Sequence, residues 1–242
     1  MPNDPPIPPE TRRVILCRPS RSEFFLVSTT KGFSLPEVSI PGRQRISANL
    51  NAAIKSRWNV DVVSIGEVAT AGRSEAAVSK YEIVEVLEAD GLSLPGLVAK
   101  SHTELDNTSF LEPEDHSTLK TVTTNDGQLP LCGQAGPFAR FGWFTDLKSW
   151  VRQELERFDL HLTGRFEQFN AGASFSLIRF ETNRDAVWFK AVGEPNLREF
   201  AITVELAAAL PRYVPTLLAA DQKWHAWLSV EAPGEDVYKR QV

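Results

Sequence analysis

The residue that most needs a chemical explanation is Lys190, in the middle of the apolar run AVWFKAV at 186–192. On a strand, Val187, Phe189 and Ala191 point to one face and Trp188, Lys190 and Val192 to the other. Both sets are largely apolar, so cover on both faces is expected. An ammonium in that position must reach water or an anion, because an unpaired buried charge is very costly. Either it snorkels out at a sheet edge or it has a partner, and Glu199 is the candidate. On a helix beginning near Leu197, Glu199 shares a stripe with Ile202, Leu206 and Leu210, the side expected to be packed. The same carboxylate stands three residues after Asn196, the spacing of a capping box, and the two roles are compatible. Upstream, NAGASFS places Gly172, Ala173 and Ser174 in a small-residue turn. Backbone N–H groups in such a turn can approach phosphate oxygens closely, although any hairpin turn favours the same residues.

The elements that must position these groups follow from the pattern. TDLKSWVRQELERF is strongly amphipathic, with Leu147, Trp150, Val151, Leu155 and Phe158 on one stripe. After it come FEQFN, the small-residue turn, FSLIRFET, a turn at Asn183 to Asp185, and the lysine strand. A helix from Leu197 to Leu210 and strands near Thr216 to Ala220 and His225 to Val230 complete the series. The order is helix, three antiparallel strands, helix, two strands.

With that order in place, Phe166 to Gly234 resembles the amino-terminal lobe of the aminoglycoside phosphotransferase family, which shares the protein-kinase architecture. WFKA is similar to that family's strand-borne lysine, LREFAITVELAAAL followed by YVPTLLAAD to its glutamate helix and Val-Pro segment, and WLSVEAPG to the strand entering the hinge. The resemblance implies that Lys190 holds the α- and β-phosphates of ATP and that Glu199 is its ion-pair partner. It implies also that the backbone of Ser229, Val230 and Glu231 meets adenine, with magnesium required for transfer to a small-molecule acceptor. The family's catalytic aspartate, its neighbouring asparagine and its metal-binding aspartate belong after the hinge. The lobe at 143–235 is therefore expected to be incomplete and inactive alone, with apolar surface exposed where a second lobe would pack. DVYKRQ, at 236–241, reads as translated library adapter or as a polar tail. The alternative function is a non-catalytic nucleotide- or partner-binding protein.

The first half reads differently. A proline-rich lead covers 1–11. VILC and EFFLV form paired strands, SANLNAAIKSRW a helix with Ser47 as N-cap and Leu50, Ile54 and Arg57 or Trp58 at helical spacing, and VDVVSIGEVAT and SKYEIVEVLEA two further strands around AGRSE. A short helix is expected near Glu112 to Lys120, and 126–142 forms a linker poor in apolar anchors. The region 12–125 resembles a Nudix fold, centred on SIPGRQRISANLNAAIKSRWNVDVV. A Nudix box needs several glutamates on one helix to hold magnesium; between Val38 and Gly66 the only carboxylate is Asp61. A scaffold or binding module is expected there instead. Arg43, Arg45, Lys55 and Arg57 either contact an anion or form a solvated basic face. The fold class expected for the whole is α+β, a Nudix-like mixed domain followed by a kinase-like lobe with an antiparallel sheet and a helix.

Composition narrows the function classes. A net charge of −5 and a pI near 5.5 argue against a general nucleic-acid binder. No run approaches the ~20 apolar residues that span a bilayer, and MPNDPPIPPE does not suit a signal peptide, so a cytoplasmic location is expected. Cys17 and Cys132 are far apart and read as a reduced pair. His102, His116, His161 and His225 lack zinc spacing.

Overall fold

The computed structural model describes residues 8–18, 22–41, 45–69, 80–87, 92–124, 129, 131, 137–172 and 174–234. Its fold is α+β, with two sheets and, among the described residues, five helices.

The first sheet has seven strands: β1 (Glu10–Arg18), β2 (Glu23–Thr29), β3 (Gly32–Ser34), β4 (Glu37–Ile40), β5 (Val62–Glu67), β6 (Tyr81–Val86) and β7 (Leu97–Ser101). Its order is β3-β2-β1-β6-β5, with β4 also paired to β1 and β7 to β2. β1 is parallel to β6 and antiparallel to β2 and β4. A central strand with both faces covered reads as an unbroken apolar run, which is why VILC has no polar alternation. Val14 and Leu16 pack under helix α1 (Ile46–Trp58), while Ile15 and Cys17 point to the opposite core.

Leu50, Ile54 and Trp58 are the buried stripe of α1, as their spacing predicts, and Arg57 stays outside with its guanidinium over the Trp58 ring. The expected cap is corrected. Ser47 lies inside the helix and is buried, and the N-cap is Arg45, in the left-handed region at φ 51° and ψ 50° with no side-chain cap bond. Apolar contact with the sheet, rather than a polar cap, sets where this helix begins. AGRSE and Cys132 lie outside the described residues; Cys17 is a buried free thiol.

Beyond the first sheet lie the short α2 (His102–Leu105), α3 (Pro113–Thr124) and α4 (Trp143–Glu156). The second sheet is antiparallel throughout, in the order β11-β12-β10-β9-β8. Its strands are β8 (Leu162–Asn170), β9 (Phe175–Thr182), β10 (Val187–Val192), β11 (Leu217–Asp221) and β12 (Ala226–Val230), with α5 (Leu197–Ala209) between β10 and β11.

One apolar cluster joins the two sheets. It takes Ile15, Cys17, Val63 and Ile83 from the first, Leu147, Val151 and Leu155 from α4, and Ile178, Phe180 and Phe189 from the second. Leu129, Leu131, Phe138 and Ala139 are buried in the same cluster. A separate polar tie lies beside it. Gln168 of β8, 2% exposed, accepts hydrogen bonds from the Ser64 N–H (2.8 Å) and the Asn51 amide (2.9 Å) and donates to the Ser64 carbonyl (2.8 Å). Each polar group of that side chain is satisfied, as burial requires.

Candidate functional site

Lys190 sits on β10, between β9 and β12, so it is not at a sheet edge. Val187, Phe189 and Ala191 are buried against the shared core, while Trp188 and Lys190 are half-buried on the other face. The expectation of cover on both faces is therefore corrected: α4 and the shared core close one side, and the second side carries a cavity. The Lys190 ammonium pairs with the Glu199 carboxylate and lies 5.9 Å from the centroid of Phe175 and 5.6 Å from that of Trp227. A cation over such rings gains about 0.5–2 kcal/mol.

Glu199 reaches Lys190 because α5 begins at Leu197, one turn away from the end of β10. Its N–H donates to the Asn196 carbonyl (2.9 Å), but no side-chain cap bond forms at Asn196. The carboxylate thus serves the lysine and not the helix end. The rest of the stripe departs from expectation. Ile202, Leu206 and Leu210 are 54%, 38% and 46% exposed, and Phe200 is the buried residue of α5. Phe200 packs with Val192 and Trp227, so the helix meets the sheet through its first turn and leaves its apolar stripe uncovered by the described residues.

Beside the ion pair, on the same face of the sheet, lies an open cavity of about 710 Å³. Phe169, Phe175, Leu177 and Trp188 line it from β8, β9 and β10, Ser229 and Val230 from the end of β12, Glu231 to Gly234 from the segment after it, and Arg45 from the N-cap of α1. The Trp188 indole is fixed: its N–H donates to Glu231 (3.1 Å), whose two carboxylate oxygens also accept from Arg179 at 2.6 and 3.0 Å. That hydrogen bonding to Glu231 raises the Arg179 pKa above its ordinary value. A flat indole held in place suits a planar ring, since offset stacking gains ~0.5–1.5 kcal/mol beyond area burial.

Of the sequence-predicted residues, Ser229, Val230 and Glu231 line this cavity, and Lys190 and Glu199 flank it. Their backbone is less available than expected. The Val230 N–H donates to the Thr216 carbonyl (2.9 Å) and the Glu231 N–H to the Ala186 carbonyl (3.0 Å). The next amide, that of Ala232, lines the cavity and has no hydrogen-bond partner among the described residues. Gly172 and Ser174 form the turn between β8 and β9 but do not line the cavity; Ala173 lies outside the described residues. The Ser174 carbonyl accepts from the Gly193 N–H at 2.7 Å, which ties the turn to the end of β10. Gly172 is close to the first sheet, since a Cβ on Gly66 would stand 3.5 Å from its Cα.

Trp188, Phe169, Arg179 and Arg45 were not singled out as parts of this site from the sequence. Strand alternation places Trp188 on the face of Lys190, so that residue was legible. Arg45 was legible only as one of several basic residues, because nothing local links α1 to β8.

The first sheet holds a second concentration of charge. Arg12, 1% exposed, pairs with Glu82, Glu67 and Glu10. Burial pushes the Glu82 carboxyl up to about 7 against the pull of Arg12. No group of three or more His, Cys, Asp or Glu residues able to hold a metal ion occurs among the described residues, and no described helix is long and apolar enough to cross a membrane.

No family model matches the chain, and no curated protein matches it either.

Proposed function

We propose that the five-stranded sheet grips ATP, as part of a small-molecule phosphotransferase resembling the aminoglycoside phosphotransferases. The observation that carries this reading is the Lys190–Glu199 ion pair beside a cavity floored by Trp188. An adenine ring stacked on Trp188 directs its edge to the Ala232 N–H. Its phosphates then run along β10 toward Lys190, whose ammonium Glu199 keeps in place. Phosphoryl transfer depends mainly on positioning and charge stabilisation, and these groups supply the first and part of the second. The acceptor would be a small hydroxylated or aminated molecule. The seven-stranded sheet, in its likeness to a Nudix fold without the glutamate box, serves as scaffold and not as hydrolase.

Magnesium does not fit the described residues. The two carboxylates at the cavity are already engaged, Glu199 with Lys190 and Glu231 with Arg179 and Trp188. The same pairing favours a second reading, nucleotide binding without transfer, because neither carboxylate is left to take a proton from an acceptor. Calorimetric titration of the chain with ATP tests the binding step common to both. Lys190→Ala should weaken ATP roughly tenfold or more; equal affinity in the variant would remove Lys190 from the site. Release of the γ-phosphate to an acceptor separates transfer from binding alone.

A further inference from the structure

The indole that floors the cavity is held through a residue outside it. Arg179 on β9 stands directly opposite Trp188 on β10, and Trp188 stands opposite Ser229 on β12. Glu231 follows Ser229 by two residues, so β10 separates it from Arg179, with about 10 Å between the outer strands. The Arg179 side chain crosses that width. Its Nε and Nη2 donate to the two oxygens of Glu231 at 2.6 and 3.0 Å. The oxygen that takes Nε also accepts from the Trp188 indole N–H at 3.1 Å. Phe169, 4.9 Å from Trp188 between centroids, supports the ring by packing, which is non-directional; the bond to Glu231 sets where the indole edge points. Glu231 lines the cavity and Arg179 does not. Arg179 lines instead a second cavity of about 660 Å³ along β8, so the ion pair lies between the two spaces.

We propose that Arg179 is a positioning residue of the cavity: its forked contact orients the Glu231 carboxylate and, through it, the Trp188 ring. The consequence for ligand binding rests on the nucleotide reading above. A guanidinium that donates through two N–H groups fixes the plane of a carboxylate; a lysine ammonium, a point charge on a flexible stem, does not. The Glu231 backbone N–H donates to the Ala186 carbonyl at 3.0 Å. The same residue therefore sets the course of the chain toward Ala232, whose amide meets adenine in that reading. The Arg179 and Glu231 side chains are 28% and 37% exposed, so water screens the pair and it adds little to stability. Its effect is on where the ring lies and not on whether the sheet folds.

The test joins a spectroscopic readout to calorimetric titration of the whole chain with ATP and, separately, with adenosine. In proton–nitrogen correlation spectra the six tryptophans give six indole signals, and Trp188→Phe identifies the one from Trp188. Arg179→Gln should shift that signal and leave the melting temperature nearly unchanged. It should weaken ATP and adenosine by the same factor, roughly fivefold, whereas Lys190→Ala weakens ATP alone. Arg179→Lys, which keeps the charge without the fork, should behave as Arg179→Gln does. An indole signal that stays in place in Arg179→Gln overturns the proposal. So does unchanged adenosine affinity while Lys190→Ala still weakens ATP, a result that leaves the nucleotide reading standing. Full recovery in Arg179→Lys overturns it because charge alone would then suffice, and a large fall in melting temperature in both variants overturns it by making the pair structural. A wild-type chain that binds neither probe removes the nucleotide reading, and the indole signal then decides for or against Arg179.

Discussion

A lysine kept between two aromatic rings and one carboxylate is anchored by several weak attractions, and removal of one partner should loosen its position without unfolding the sheet. Glu199→Gln keeps the shape of the pair but removes its charge. It should weaken ATP less than Lys190→Ala does while leaving the melting temperature within a degree or two, as exposed substitutions change stability by only about 0.5 kcal/mol. Equal losses in the two variants would mean that Glu199 contacts the ligand itself. Glu82 gives a prediction of a different kind. Its folded pKa of about 7 lies above the ordinary value of 4.5, because burial disfavours the charged form. Such a group contributes its full stability below the ordinary value, and that stability is lost as pH rises toward the folded one. The wild type should therefore lose stability relative to Glu82→Gln between pH 4.5 and about 7. Melting curves of both proteins across that range would show a constant difference if Glu82 did not titrate there.

At the scale of elements, the contact between α1 and β8 decides the shape of the cavity. Gln168 satisfies Ser64 and Asn51 from a site with 2% exposure, so Gln168→Leu would leave several buried polar groups without partners. The expected cost is about 2–3 kcal/mol, measured by urea denaturation, with a parallel loss of ATP affinity as Phe169, the next residue of β8 and part of the cavity wall, shifts. A variant as stable as the wild type would show that the tie is replaced by water. The strands and helices themselves were largely legible. VILC, EFFLV and the alternation around Lys190 gave real strands, and the stripe in TDLKSWVRQELERF gave α4. The strands β3, β4 and β7 and the helix α2 were not anticipated, since elements of three to five residues carry too few side chains for periodicity to stand out.

For the molecule as a whole, the notable feature is apolar surface on one helix. Ile202 and Leu206 on α5 are joined by Leu210 at its C-cap and by Tyr213 just beyond, 69% exposed. A contiguous apolar face of this kind promotes association. Ile202→Lys combined with Leu206→Glu should reduce concentration-dependent self-association in sedimentation velocity while leaving the melting temperature unchanged. If the wild type is monodisperse at high concentration, the face is not adhesive. A fall in melting temperature would instead mean that the stripe is packed in solution.

The pairing of β10 with β12 came only with the fold; the sequence by itself determined the periodicities, and with them most element positions, the α+β class and Glu199 as the residue in reach of Lys190. These are local properties: a period of two or of about 3.6 residues assigns faces whatever lies opposite them. Periodicity is silent on which face finds a partner. It marked the α5 stripe as packed, and the tertiary structure leaves that stripe exposed while burying Phe200. It left Glu199 between helix cap and ion pair, and the position of β10 decided for the ion pair. Arg45 and Phe169 stand more than a hundred residues apart and meet only because one apolar core and the Gln168 tie hold the two sheets together. Non-local contacts of that kind depend on the summed packing of many side chains, so the composition of the cavity emerged only with the fold.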